Sequence, residues 1–245
     1  PKVVLSRCLR GDNVRYNGEL LKDSVFLELK PYMDIITVCP EVQMGMPVPR
    51  PPIQIHQAEK PILFQPSTGT DLSYAMAKLS AIEIGRSLSK QYGHKVVNLM
   101  PTNLYGPNDN FDENSSHVIP GLIRRMYNAK VQSSKNFSVW GDGSPLREFL
   151  YVDDLSRAIK FILENNIEDD LINVGFGEEI SIKDLAYKIS DVVSYEGDLN
   201  FDKTKPNGNP RKLLDTSLFR SYGWKPSYSL DEGLKISFNW FLENL

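Results

Sequence analysis

Residues 73–78 read "SYAMAK" and put Tyr74 and Lys78 four apart. On a helix that spacing sets the two side chains one turn apart on one face. A phenol that donates a proton near neutral pH needs its ordinary pKa of about 10 brought down. A cation one turn away does this electrostatically, and it can also hold a sugar hydroxyl. The same pair occurs on many ordinary solvated helices, so by itself it fixes no function. The rest of the chain must say whether a site is built around it.

The elements that would position the pair follow from hydrophobic spacing. "KVVLS" (residues 2–6) and "DIITVC" (residues 34–39) read as strands, and "LKDSVFLELKPYM" (residues 21–33) as a helix between them, which makes a βαβ unit. Five prolines between Cys39 and Ile55 make the next stretch extended loop. "PSTGTD" (residues 66–71) is a second turn-rich stretch. From Ser73 a helix is predicted to about Tyr92, with Ala77, Ala81 and Gly85 giving a small-residue face suited to close packing on a sheet. "KVVNLM" (residues 95–100) reads as a buried strand, followed by the loop "PTNLYGPNDNF". Helices are predicted over "HVIPGLIRRMYNA" and over residues 153–165, the latter apolar at Leu155, Ile159 and Ile162. "FSVWGDG", "REFLYV" and "LINVGF" read as strands. One further helix opens at Ser181 with Asp184 three residues on. The last opens at Ser229 with Glu232 in capping-box spacing and a stripe of Leu230, Leu234, Phe238 and Phe241. This alternation predicts an α/β protein with a largely parallel sheet.

The 245 residues suffice for one large α/β domain or two small ones. A net charge of −3 argues against nucleic acid or an anionic membrane as a partner. No apolar run reaches the length of a membrane span and no signal peptide opens the chain. Two cysteines, Cys8 and Cys39, make neither a disulfide framework nor a four-ligand metal site, and a reducing, cytoplasmic setting is expected. "GFGEEI", with Gly175 and Gly177, looks like a phosphate loop between strand and helix. Ile180 stands where the third glycine of G-x-G-x-x-G belongs, and the stretch reads as a turn.

Six stretches in unbroken order, "YAMAK", "MPTNLYGPNDNF", "SSHVIPGLIRR", "VWGDGSPLREFLYVDD", "INVGFGEEISI" and "KPNGNPRKLLD", resemble the GDP-L-fucose synthase family, extended short-chain dehydrogenases/reductases of the NAD-dependent epimerase/dehydratase group. The likeness covers about residues 71–245. It implies a partial Rossmann-like parallel sheet with a small α/β sugar-nucleotide-binding domain. The implied reaction is NADPH-dependent epimerisation and reduction of GDP-4-keto-6-deoxymannose to GDP-L-fucose. By this resemblance Tyr74 is the proton donor at the C4 oxygen, Lys78 its cationic neighbour and His117 the acid/base of the epimerisation, a role suited to an imidazole. Tyr74, Lys78, Pro101, Thr102, Asn103, Leu104 and His117 would meet the NADP cofactor. Arg125, Trp140, Arg147 and Lys212 would line the GDP-sugar pocket, where a planar guanidinium pairs with two diphosphate oxygens. The family's members also imply a homodimer. Read without the resemblance, His117 is a helix cap, Arg125 and Lys212 are solvated charges, and Trp140 is a core aromatic.

Family members carry a glycine-rich dinucleotide turn before the tyrosine. Here no G-x-x-G-x-x-G precedes Tyr74, because Gly11 and Gly18 stand too far apart. Instead "VVLSRCLRGDNVRYNG" and "DIITVCPEVQMGMPVPRPP" resemble the N-terminal part of the 2-thiouracil desulfurase family, in which cysteines hold an iron–sulfur cluster. Cys8 and Cys39 match two of those cysteines and the third has no counterpart. The expected organisation is a desulfurase-like βαβ module at 1–57, a linker at 58–72 and the epimerase-like part at 73–245. Cys39 is also a candidate for the family's cysteine acid/base. Three further readings stand beside the main one: a sugar-nucleotide-binding protein without catalysis, sulfur or iron–sulfur chemistry in the first module, and a fusion of two partial modules that folds poorly.

Overall fold

The computed structural model describes residues 2–6, 34–38, 72–113 and 115–245, with the backbone alone given for 2–6, 34–38, 72–75 and 77. The predicted helix at 21–33, Cys8, Cys39, the proline-rich stretch and the expected linker up to residue 71 lie outside the described residues. The chain divides into two units, one of residues 1–98 with 168–171, the other of residues 99–167 with 172–245.

In the first unit β1 (Lys2–Ser6) and β2 (Asp34–Val38) pair in parallel, Lys2 opposite Asp34 through Ser6 opposite Val38. Helix α1 (Leu72–Tyr92) carries the Tyr74–Lys78 pair. It ends at Gly93, whose φ of +68° is the left-handed cap that glycine adopts without strain. Gly85 is buried, and a Cβ there would lie 2.9 Å from Val96 Cγ1, so the expected close packing depends on this glycine. Arg86 donates to Asp170 at 2.5 Å and to Glu83 at 2.6 Å, and Lys95 pairs with Glu168. These exposed pairs each add little to stability.

In the second unit β3 (Asn98–Pro101) lies beside β8 (Leu171–Val174), and β4 (Asn103–Tyr105) pairs in parallel with β7 (Phe149–Tyr151). The stretch expected to be loop after residue 101 therefore contains a short strand. Three residues are too few to show a period of two, and the strand exists because Phe149–Tyr151 offers it a ladder. Helix α2 (Val118–Val131) buries Ile119, Leu122, Ile123 and Met126, an i, i+3, i+4, i+7 stripe. Pro120 sits in its first turn, where a missing N–H breaks no helical bond. β5 (Asn136–Trp140) turns Phe137 and Val139 inward and pairs in parallel with β10 (Asp198–Asp202). β6 (Leu146–Arg147) runs parallel to β11 (Arg211–Lys212) and antiparallel to β9 (Ile180–Ser181).

Helix α3 (Val152–Glu164) follows β7 directly and buries Leu155, Ala158 and Ile162. Its fully buried Asp154 accepts from the amides of Ser227 and Tyr228, at 2.8 and 3.1 Å. Helix α4 (Ile182–Val193) starts as expected at Ser181, whose Oγ accepts from Asp184 N at 2.9 Å. The five-residue α5 (Ser217–Ser221) buries Phe219, stacked on Trp224. Helix α6 (Leu230–Glu243) opens with the predicted capping box at Ser229 and Glu232. Helices α2 and α6 both pack on α4, and Tyr105, Phe149, Tyr151, Ile189, Leu234 and Phe241 belong to one core. The architecture is α/β with mostly parallel strand pairs, as the alternation predicted. Among the described residues no helix is long and apolar enough to cross a membrane.

Two measurements follow from the caps. Ser181→Ala removes the acceptor for Asp184 N and should lower stability by about 1 kcal/mol, read from the urea midpoint. Glu232 is held below its ordinary value of 4.5, first by the Ser229 hydroxyl and then by the Ser229 amide. A depressed carboxylate contributes stability that is present above its ordinary value and lost as pH falls through the folded value. Ser229→Ala should therefore be most damaging at neutral pH, and its melting-temperature gap from the wild type should narrow as the pH drops below about 4, leaving the part due to the bond from Glu232 N to Ser229 Oγ. A constant gap across that window would exclude the Glu232 carboxylate as a source of the difference.

Candidate sugar-nucleotide site

Strand β5 ends by pointing Trp140 outward, since its alternation buries the residues before it. Trp140 is 63% exposed, which overturns its reading as a core aromatic. Two cations stand over the indole: the Arg125 guanidinium at 6.0 Å from the ring centroid and Lys205 Nζ at 5.7 Å. Arg125 is braced by its own helix, Nε donating to Gly121 O at 3.1 Å. It is half-buried rather than fully solvated, and burial lowers its pKa against an opposing pull from Glu113.

The loop from β10 to β11 runs past this cluster. Asp202 accepts from Thr204 N at 3.0 Å and Oγ1 at 2.5 Å, which shapes the first turn. Asn207 Oδ1 accepts from Asp142 N at 2.8 Å. That approach needs Gly141, whose φ is +82° and whose added Cβ would lie 2.3 Å from the same oxygen. Ser144 donates twice to Asp142 and holds that carboxylate below its usual range. Gly208, one residue on, brings the backbone beside Arg147, with an added Cβ 3.6 Å from Nη2. One segment thus reaches from Lys205 at Trp140 to Gly208 at Arg147.

Arg147 and Lys212 are register partners in the β6–β11 pair. Arg147 donates to Leu146 O at 2.7 Å, and burial lowers its pKa. Lys212 is exposed. The neighbouring Arg211 is engaged, its Nε meeting both oxygens of Glu179 at 2.8 and 3.1 Å. Among the described residues Arg125, Arg147 and Lys212 form no ion pair with a carboxylate. An open depression of about 350 Å³ lies just beyond, lined by Arg211, Leu213, Leu214 and Asp215. It includes none of the four expected ligand residues. The cation cluster and its indole can hold a diphosphate between guanidinium and ammonium groups and give a flat ring a stacking plane.

The other expected residues are placed differently. His117 is the exposed N-cap of α2 by its backbone, its carbonyl accepting from Gly121 N at 2.9 Å while its side chain makes no capping bond. Thr102 Oγ1 and Asn103 Nδ2 both donate to the Glu148 carbonyl, at 3.1 and 2.8 Å, and Thr102 N donates to Val174 O. Pro101 closes β3, exposed, and Leu104 is half-buried opposite Leu150 in the β4–β7 ladder. Lys78 is exposed on α1, and Tyr74 is described there by backbone only. Arg125 is thus brought to Trp140 and Arg147 to Lys212, while the polar side chains of 102–103 are committed within the fold.

For a nicotinamide cofactor the fit is divided. The α1 spacing of Tyr74 and Lys78 suits the nicotinamide ribose, whereas no glycine-rich turn for the diphosphate occurs in the sequence before Tyr74. Sequence reasoning missed Lys205 and Glu148. Lys205, in "KTKPNG", carries no signal separating it from a solvated charge. Glu148 had one: it adjoins the continuous apolar run "FLYV", the mark of a strand buried on both faces.

Residues 51–175 match the NAD dependent epimerase/dehydratase family, and residues 3–97 match 2-thiouracil desulfurase, so the two matches share 51–97. GDP-L-fucose synthase 1 of Arabidopsis thaliana is 47% identical over 172 residues, 70% of this chain and 53% of that protein. GDP-L-fucose synthase of Escherichia coli (strain K12) is 43% identical over 196 residues, 76% of this chain and 61% of that protein. Among solved structures, a GDP-L-fucose synthetase from Naegleria fowleri bound to NADP matches with TM-score 0.63 and 32% identity, over 70% of this chain and 54% of that one. The chain spans somewhat more than half the length of these relatives. With half of its residues matched to the family that contains the Tyr74–Lys78 helix and the Asn103 strand, the chain belongs to the NAD dependent epimerase/dehydratase family.

Proposed function

We propose that the chain is a GDP-L-fucose synthase-like protein whose second unit binds a GDP-linked sugar through Arg125, Trp140, Arg147 and Lys212. The observation that carries this reading is the cluster of cations without carboxylate partners along one loop, beside an exposed indole, in a chain of net charge −3. Clustered cations repel one another, and a bound dianion relieves that repulsion. Guanidinium forks supply the directional part, and the indole supplies a stacking face.

The relatives' printed names, GDP-L-fucose synthase and a GDP-L-fucose synthetase bound to NADP, support a GDP-linked sugar and an NADP cofactor, and the family resemblance supplies GDP-4-keto-6-deoxymannose as the substrate. NADPH, when bound, supplies a hydride for C4 of the ketone. Tyr74 gives its phenolic proton to O4, so the carbonyl becomes an alcohol, and Lys78 steadies the phenolate left behind. His117 takes and returns protons at carbons beside the keto group. These three roles rest on the match of residues to the family's motifs. A second reading, in which the GDP-sugar is held and no hydride is transferred, needs only the cation cluster and the exposed indole.

Calorimetric titration with GDP-mannose should show binding that weakens with added salt, and Arg147→Ala should weaken it at least about tenfold, the loss of a charge-assisted bond. No binding at millimolar GDP-mannose overturns the proposal. With NADPH and the 4-keto sugar, the wild type should oxidise the cofactor. Tyr74→Phe should slow this by about 10²–10⁴ and leave GDP-mannose affinity unchanged. Tight GDP-mannose binding without any NADPH oxidation would establish the second reading in place of the first.

A further inference from the structure

Glu148 is fully buried, and among the described residues it forms no ion pair. A buried carboxylate is costly unless its oxygens are hydrogen-bonded, and an apolar residue of similar size often serves stability as well. Here each oxygen has one backbone partner: Oε1 accepts from Gly177 N at 2.6 Å and Oε2 from Leu214 N at 3.1 Å. Gly175 makes room, since a Cβ there would lie 2.4 Å from Oε1. Gly177 has φ +81°, the left-handed region that glycine enters freely.

Leu214 lies two residues beyond Lys212, and Glu148 directly follows Arg147. The two cations meet across a ladder of two residues per strand, too short to hold its own spacing. At one end the ladder is closed by Leu146 N donating to Pro210 O at 2.9 Å. At the other end it is closed by the Glu148 carboxylate. We infer that Glu148 is a positioning residue that fixes segment 212–214 against residue 147 and so sets the separation of the Lys212 and Arg147 cations. What that separation serves rests on the GDP-sugar reading above; the clamp itself does not.

Glu148→Gln keeps the shape and replaces one acceptor oxygen by an NH2 donor, so either Gly177 or Leu214 loses its partner. Amide hydrogen exchange should then rise at least about tenfold in residues 209–215 and stay unchanged in α2 and α4, while the GDP-mannose Kd rises about tenfold. Gly175→Ala crowds the same carboxylate without changing charge. It should reproduce both effects, and the double variant should be no worse than either single one. Unchanged exchange in 209–215 in both Glu148→Gln and Gly175→Ala, or an increase spread evenly over the whole unit, overturns the inference, the second outcome marking a purely structural role. If the wild type fails to bind GDP-mannose, the sugar-nucleotide reading falls and the exchange pattern still decides the clamp. Should Glu148→Gln not fold, Gly175→Ala carries the test.

Discussion

Removing a carboxylate from water is unfavourable by several kcal/mol unless neighbours replace the lost hydrogen bonds, and the second unit is organised around meeting that demand at residue 148. The side chain draws in two loop amides and the main-chain carbonyl draws in two side-chain donors, from Thr102 and Asn103. Four segments distant in sequence thereby meet at one residue: the end of β3 and start of β4, the β6–β7 junction, the turn after β8 and the stretch after β11. Strands of two or three residues persist there because each is tied at its ends by bonds other than its own ladder. Asp154 does similar work one strand further on, gathering the Ser227 and Tyr228 amides and so setting where α6 begins.

The cation cluster depends on that frame. Arg125 is fixed by a helix whose apolar stripe is buried, Trp140 by a strand whose alternation turns it outward, and Arg147 with Lys212 by the short ladder. The loop between β10 and β11 joins them because Gly141 admits Asn207 and because Gly208, at φ +71°, takes the left-handed turn that carries the backbone beside Arg147. At Gly141 the demand is steric: a Cβ there has no room.

Much of this was legible in the sequence where local signals are strong. The caps at Ser181 and Ser229, the existence of α2 and the stripe of α6 are legible, because helix ends and helix faces are local properties. Four of the strands, β4 and β9 to β11, were not read. Two- and three-residue strands show no periodicity, so their existence depends on partners tens of residues away, whereas β10, Asp-Leu-Asn-Phe-Asp, does alternate and carried a signal that went unread. The candidate site is legible in parts: the motif match offers Arg125, Trp140, Arg147 and Lys212 as expected ligands, while the indole's exposure and its second cation, Lys205, require β5 and the β10–β11 loop in space. Tyr74 and Lys78 lie within residues 51–97, the span that matches both families, so the sequence assigns the α1 chemistry less sharply than it assigns the second unit.

The glycine turn at 175–177 looks in sequence like a cradle for a phosphate, and in the folded chain it does receive an anion, one the protein carries itself. A tethered carboxylate competes at a high effective concentration and never diffuses away. Dissolved phosphate or nucleotide therefore meets a receptor already filled from within, and glycine spacing alone would lead a motif search to a pocket that has no vacancy.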